Sequence, residues 1–257
     1  MIGEHSATYR IQEHCEGEPI LSHESVYVDG HLVASREYGD ARIFYPSGNT
    51  IGATPWIGLR SFVNIHGSRL PPDIADVVRG LLSFITSWRI VQIDCPSVRL
   101  SLSSPVRHDF VYHLRPDGSN LAQLLYTLYV TLSNTFAEIS RYFEAAFGLR
   151  LFFLEMEASW RFLADSGVMF TDSALSDNAL RFLALATLFL ADSAPLVCIE
   201  EPERNLHSQA ICHLADLMCR QVKEKGWPQK QVIATVHDPE FLDCFRPDGK
   251  HLVVLAI

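Results

Sequence analysis

The 257-residue sequence is poor in lysine: it has four, at positions 223, 225, 230 and 250. Any motif that requires a lysine is therefore excluded from everything ahead of Lys223. Long apolar runs are also missing. The longest, Phe182 to Ala191, is too short to span a bilayer even with Thr187 overlooked. The first 20 residues carry Glu4, Arg10, Glu13, Glu16 and Glu18 around no apolar segment, so no secretory signal is expected. There is no C-x-x-C pair, and none of the six cysteines, at 15, 95, 198, 212, 219 and 244, has a histidine at zinc-finger spacing. They read as reduced, buried thiols; Cys212 and Cys219, seven apart in a helical pattern, read as one core face. A soluble cytoplasmic protein without membrane association is the expectation.

What is present excludes disorder: 48% of residues are hydrophobic and 20% charged. A chain of this length buries a substantial core without disulfide or metal staples. Its 21 basic against 30 acidic residues, a formal charge of -9, argue against broad coating of nucleic acid. A local basic groove stays open, because DNA affinity depends on where the cations sit. The connection with Arg99, Arg107, Arg115, His108 and His113 is either such a phosphate contact or a solvated face.

Texture changes along the chain. Short β-like runs at Ser25 to Val28, Leu32 to Arg36 and Arg42 to Tyr45, parted by Asp29-Gly30, Gly39-Asp40 and Ser47-Gly48-Asn49, predict an antiparallel meander. Apolar spacing predicts a helix from Ile74 to Trp88, started by Pro71-Pro72, then a strand over Arg89 to Asp94. Pro96 to Arg115 reads as a polar connection. Asp117-Gly118-Ser119-Asn120 reads as a turn whose Ser or Asn caps a helix from Leu121 to about Leu132, with a second helix over Thr135 to Phe147. Leu149 to Glu157 and Arg161 to Phe170 read as paired strands turning at Ala158-Ser159. From Ser176 helices and strands alternate: helix Asp177 to Ala191, strand Leu196 to Glu200, helix His207 to Lys225, strand Gln231 to Val236, helix Pro239 to Phe245 and strand His251 to Ile257. Nearly all-apolar strands in that alternation predict a parallel sheet covered on both faces.

Four places could carry chemistry. The strand Leu196 to Ile199 runs into Glu200-Glu201-Pro202-Glu203, and ligands of open α/β sheets bind beyond the carboxyl ends of strands. One carboxylate there could hold Mg²⁺ and the other orient and deprotonate a water; the plain alternative is an acidic turn facing solvent. A second apolar strand, from Val232, ends at His237, placed to hydrogen-bond a phosphate or a water, or else an ordinary loop histidine. Ser176 is a good N-cap for the apolar helix after it, and such a helix start is either an anion site or simply capped. Asn205-Leu206-His207 opens the helix after the acidic strand, as a cap or as more.

Taken in order, Ser176-Asp177-Asn178-Ala179-Leu180-Arg181-Phe182, then Leu196 through Glu203 with Asn205-Leu206-His207, then Ala234-Thr235-Val236-His237-Asp238-Pro239-Glu240-Phe241-Leu242 resemble the second half of the ABC-like, AAA-type ATPases. These are relatives of the chromosome-structuring, recombination and overcoming-lysogenization ATPases. The likeness is concentrated over Ser173 to Phe245, and the run from Leu114 to Ala122 is similar to one these proteins carry between their two core halves. The resemblance implies ATP and Mg²⁺ as ligands. It implies that Ser176, Asp177 and Asn178 form the signature touching the γ-phosphate held by a partner subunit. Glu200 takes the Walker B magnesium role, Glu201 the general base, Asn205 to His207 a dimer-facing loop and His237 the switch histidine. The family usually has glycine where Asn178 stands.

Binding ATP in this class needs a G-x-x-x-x-G-K-[ST] loop, whose amides wrap the β-phosphate. The sequence has none. Three explanations follow: a fragment or truncated gene start, a partner polypeptide that supplies the missing lobe, or a degenerate homologue kept for regulation. The expectation is a P-loop NTPase-type α/β fold with an ABC-like core. It comprises a β-rich meander over 1–70, a helical connecting region over 71–148, and an α/β part with signature, Walker B and switch histidine over 149–257. The intact form hydrolyses ATP at a dimer interface, with DNA as a partner by analogy to relatives and repair or phage defence as the setting. The rivals are a regulatory dimerisation module of the same fold, and a metal-dependent nuclease built on Glu200, Glu201, Glu203 and His207.

Overall fold

The computed structural model describes residues 7–14, 20–37, 40–44, 50–51, 72–107, 109–223 and 230–245. The chain divides into two compact units, Met1–Ser87 and Trp88–Ile257. In the first, β1 (Ala7–His14), β2 (Ile20–Val28), β3 (His31–Glu37), β4 (Asp40–Phe44) and β5 (Thr50–Ile51) form an antiparallel meander in chain order. Asp29 and Gly30 turn β2 into β3 with φ of 51° and 78°, the paired positive φ of a tight hairpin, where glycine avoids a Cβ clash. The sequence expectation began only at Ser25 and missed β1, whose polar residues hide its pairing with β2. The expected turns at Gly39 and Ser47-Gly48-Asn49 involve positions outside the described residues. Helix α1 (Pro72–Thr86) lays Ala75 and Val78 against Val26, Val28 and Val33, the core of this unit.

The second unit is built on a parallel sheet of β6 (Arg89–Val91), β10 (Leu196–Glu200) and β11 (Gln231–Thr235), in the order β11-β10-β6. Helices α3 (Leu121–Thr131) and α4 (Ser133–Phe147) lead into a hairpin of β7 (Leu149–Leu154) and β8 (Ser159–Ala164). The short β9 (Met169–Phe170) extends that sheet. Trp160 is fully buried there and donates from Nε1 to the Ala122 carbonyl at 3.0 Å, satisfying its one polar atom. The expected turn sits at Ala158, in the left-handed region at φ 49°, behind a short 3₁₀ turn over Glu155–Glu157.

Helix α5 (Asp177–Ala191) is the spine of this unit. Every residue from Ala179 to Phe189 is buried, as a helix apolar on every side requires, and Arg181 and Thr187 are its polar exceptions. Each fully buried Leu or Phe in it contributes roughly 2 kcal/mol by removal of its surface from water. Its far end is closed by Lys230, whose buried Nζ donates to the carbonyls of Phe189 (2.9 Å) and Asp192 (2.6 Å), a cation on the orphan carbonyls of a helix C-terminus. After β10 come α6 (Ser208–Lys223) and, after β11, α7 (Pro239–Cys244).

Four expectations are corrected. The polar connection from Pro96 opens with a helix, α2 (Cys95–Ser103): Asp94 caps it by accepting from Ser97 N at 2.9 Å, and Pro96 sits in its first turn, where no amide is needed. Its Ser-rich composition masked those start signals. Asn120 does not cap α3; its side chain instead accepts from Arg115 N (2.8 Å) and donates to the His113 carbonyl (2.9 Å), closing the turn behind it. Among the described residues the parallel sheet is covered along the whole of one face, and on the other face only its end at Leu196 is buried. Val91, Val197 and Ile199 are buried, whereas Ile90 and Ile233 on the other face are 73% and 59% exposed. Finally, none of the five described cysteines is buried: Cys212 is exposed, because the apolar stripe of α6 runs through Ala210, Ile211, Leu214, Ala215, Leu217 and Met218 and leaves Cys212 beside it. The expected strand His251 to Ile257 lies outside the described residues, as do Cys15 and His108.

Candidate functional site

Parallel register aligns Glu200 at the end of β10 with Thr235 at the end of β11, so both strands deliver polar tips to one rim. The chain then turns sharply. Glu201 has φ of 43°, a left-handed conformation that costs a non-glycine residue on the order of 1 kcal/mol and persists only where neighbours enforce it. Three contacts do so here. Its amide donates to the carbonyl (3.0 Å) and Oγ1 (3.2 Å) of Thr235, and its carbonyl accepts from Arg181 at 2.7 Å.

Arg181 is a charged side chain in an otherwise apolar helix, 7% exposed. Its guanidinium also donates to the carbonyls of Ile93 and Glu200, both at 3.2 Å. It thus ties the ends of two parallel strands to α5, five residues from Ser176. Burial pushes its pKa below the usual guanidinium value; the nearby Arg204 acts in the same direction, and Cys95, Glu203 and Glu201 oppose. Sequence reasoning gave Arg181 no role, although a lone charge inside a buried helix was the available signal.

The carboxylate of Glu201 lies 3.4 Å from His237 Nε2 through Oε1 and 3.4 Å from Arg204 through Oε2. His237 is largely exposed at the rim, its side chain at 79%. Its backbone is fixed by Glu203, which turns inward, is 5% exposed, and accepts from the amides of His237 (2.8 Å) and Asp238 (3.4 Å) through Oε1. Glu203 therefore holds the histidine loop. Glu200 is exposed, and Gln92 Nε2 donates to its Oε2 at 3.3 Å.

Asn205 is exposed and left-handed at φ 61°. His207 is exposed; its Nδ1 accepts from Ala210 N at 3.2 Å, making it the cap of α6, and its ring meets Phe147 edge-on with centroids 5.0 Å apart. Ser176 is exposed, and its Oγ accepts from Ala179 N at 3.3 Å as the N-cap of α5. Asp177 pairs with Arg99 at 2.8 Å, while Arg99 also donates to the carbonyls of Asp172 and Leu175. That arginine is engaged in shaping the Ser176 turn rather than standing free for a phosphate. Asn178 sits in the first turn of α5 without positive φ, so no backbone strain accompanies the residue where the resembled family has glycine. Cys95 donates to the Asp177 carbonyl at 3.6 Å, and its thiol is pushed up first by burial and then by the charge of Asp177.

Magnesium in phosphoryl-transfer sites takes one or two carboxylates and completes its shell with substrate oxygens and water. Glu200 fits that demand: an exposed carboxylate at a strand end with a single neutral amide contact. An all-protein cage is a different matter. Among the described residues no three His, Cys, Asp or Glu side chains converge as a metal would require, and Glu203 and His207, two of the four ligands of the nuclease alternative, are turned to structural contacts.

A family model described as AAA domain, putative AbiEii toxin, Type IV TA system matches residues 99–243, more than half of the chain. The chain belongs to this family, a class of AAA-type, ABC-like ATPase domains. Similar solved structures include the Smc head domain with a coiled coil and joint from Pyrococcus yayanosii, at 18% identity and TM-score 0.36 over 46% of this chain and 24% of that one. They also include the SmcHead bound to the C-winged helix domain of ScpA, at 14% identity and TM-score 0.42 over 90% and 70% of the two chains. The SMC head domain from Thermotoga maritima gives 12% identity and TM-score 0.37 over 89% and 70%. No curated protein matches the chain significantly.

Proposed function

We propose that this chain carries the signature, Walker B and switch-histidine half of an ATP-hydrolysing machine whose phosphate loop comes from another segment or a partner chain. The observation that carries the reading is the Glu201–His237 pair, 3.4 Å apart, at the carboxyl ends of adjacent parallel strands. A carboxylate held next to an imidazole at such a rim is suited to take a proton from a water aimed at a phosphoryl group. Glu201 acts as the base. His237 orients the same water or a phosphate oxygen, kept in place by Glu203 beneath it.

Glu200 would hold Mg²⁺, which when bound supplies charge neutralisation at the transferring phosphoryl group. Ser176, with Asp177 and Asn178, presents an exposed helix start suited to a phosphate bound by a second protomer, in a homodimer or with a partner subunit. Asn205 and His207, both exposed, would belong to the dimer-facing loop of that arrangement. The rigid link from α5 through Arg181 to Glu200 and Glu201 supports coupling between the two. A cytoplasmic setting and a role on DNA, in repair or phage defence, are extensions of the same reading.

Phosphate release from ATP and Mg²⁺ tests it, measured on the chain with the loop-bearing segment in cis or in trans. Turnover is expected there and not from the chain alone. No turnover in any combination would leave the regulatory module of the same fold as the better account.

A further inference from the structure

Two thiols distant in sequence meet outside this rim. Cys212, on the exposed flank of α6, and Cys244, at the last turn of α7, place their sulfurs 2.9 Å apart. Two helices separated by β11 have to be docked side by side for this to occur, and α7 also sends Phe241 into the main core and stacks it edge-on against Phe245. The docking is therefore set by packing, not by the cysteines. We infer that Cys212 and Cys244 form a redox-modification site, a dithiol that closes to a disulfide on reaction with a peroxide or a low-molecular-weight disulfide.

The chemistry balances with such an oxidant. Hydrogen peroxide converts the accessible Cys212 to a sulfenic acid with release of water, and Cys244 sulfur displaces the sulfenic hydroxyl, its proton leaving with it as a second water. With a disulfide oxidant the two electrons pass to the small molecule, which leaves as two thiols. Accessibility sets the order, since Cys212 is exposed and Cys244 half-buried. Burial, then the hydrogen bond and charge of Cys212, push the Cys244 thiol up to about 12, so it is protonated in the reduced pair and gives up its proton in the attack on the sulfenic sulfur.

The bond would bear on the rim. Helix α7 begins at Asp238–Pro239, immediately after His237, and its cap is the Asp238 side chain accepting from Glu240 N at 2.8 Å. Glu203 already fixes the start of this segment. A Cys212–Cys244 bond would fix its other end to α6, clamping the histidine loop between two anchors. The inference stands on the thiol geometry alone and does not require the proposed hydrolysis.

The test uses the full chain, purified reduced, exposed to hydrogen peroxide or oxidised glutathione, then alkylated and digested with trypsin. Two of the six thiols should be lost and the intact mass should fall by two hydrogens. A linked pair of peptides should appear, spanning 205–220 and 231–250. The Cys219→Ser variant should still form it, because the first peptide contains both Cys212 and Cys219; Cys212→Ser and Cys244→Ser should not. Amide exchange at His237 and Asp238 should slow in the oxidised wild type. Six thiols still open to alkylation in the folded, oxidant-treated wild type, or a bond that maps to other cysteines, would overturn the inference.

Discussion

Replacing Arg181 with methionine is the sharpest structural perturbation of the rim. The side chain keeps most of its length and loses a guanidinium that serves three carbonyls, those of Ile93, Glu200 and Glu201. Hydrogen bonds to a charged group contribute about 1.5–3 kcal/mol each, so the gross loss is on the order of 6 kcal/mol. Against that stands the desolvation of a buried cation, several kcal/mol, which the depressed pKa of Arg181 records. The difference, with three carbonyls left facing apolar surroundings, comes to about 2–4 kcal/mol of lost stability. Urea unfolding followed through the buried Trp160 of the same unit reads this directly. With a slope of roughly 2–3 kcal/mol per molar, the midpoint should fall by about 1 M. Arg181→Lys should do no better, since a single ammonium cannot span three acceptors fixed by a planar fork. A midpoint shift under about 0.2 M for Arg181→Met would refute the reasoning, because it would mean the three contacts only balance the cost of burying the charge.

Other positions follow the same logic. Glu203→Ala strips the acceptor from the His237 and Asp238 amides and should cost about 2 kcal/mol, with faster amide exchange at both; Glu203→Gln, which keeps an acceptor, should lose markedly less. Gly118→Ala should destabilise by about 1–3 kcal/mol in thermal melts, since φ is 79° there and a Cβ would come within 2.6 Å of Val98 Cγ2. The Asp117 carboxyl is held below its ordinary value, chiefly by the Ser119 amide. A depressed folded-state pKa gives stability that is present above the unfolded pKa near 4 and lost as pH falls through the folded value. Asp117→Asn should therefore lower stability on the neutral side, leave the acid extreme little changed, and so flatten the acid limb of a stability-versus-pH curve below about pH 4.

The elements were most legible where apolar pattern and punctuation agree. Asp177–Ala191 and Leu196–Glu200 have the bounds the pattern predicts, because a capping serine opens one and a change from apolar to acidic residues ends the other. The α2 helix was not, since its information sits in Asp94 and Pro96 at one end and its body is serine-rich. At the rim, Glu200, Glu201 and His237 could be expected together from two strands ending in polar residues. Which of three nearby glutamates turns inward could not. That depends on the left-handed turn at Glu201 and on the histidine loop arriving from 34 residues away, neither of which a local run encodes. The meeting of Cys212 with Cys244 was hidden for the same reason: spacing along α6 points to Cys219, whereas the docking of α7 decides the contact.

Glu201 is where the functional account is most exposed. In the assembled protein with ATP and Mg²⁺, Glu201→Gln preserves side-chain shape and removes the basic oxygen. Turnover should drop by about 10²–10⁴-fold while nucleotide binding stays within a few-fold of wild type. Hydrolysis that continues at the wild-type rate in Glu201→Gln would contradict the assignment of this rim as the place where water is activated.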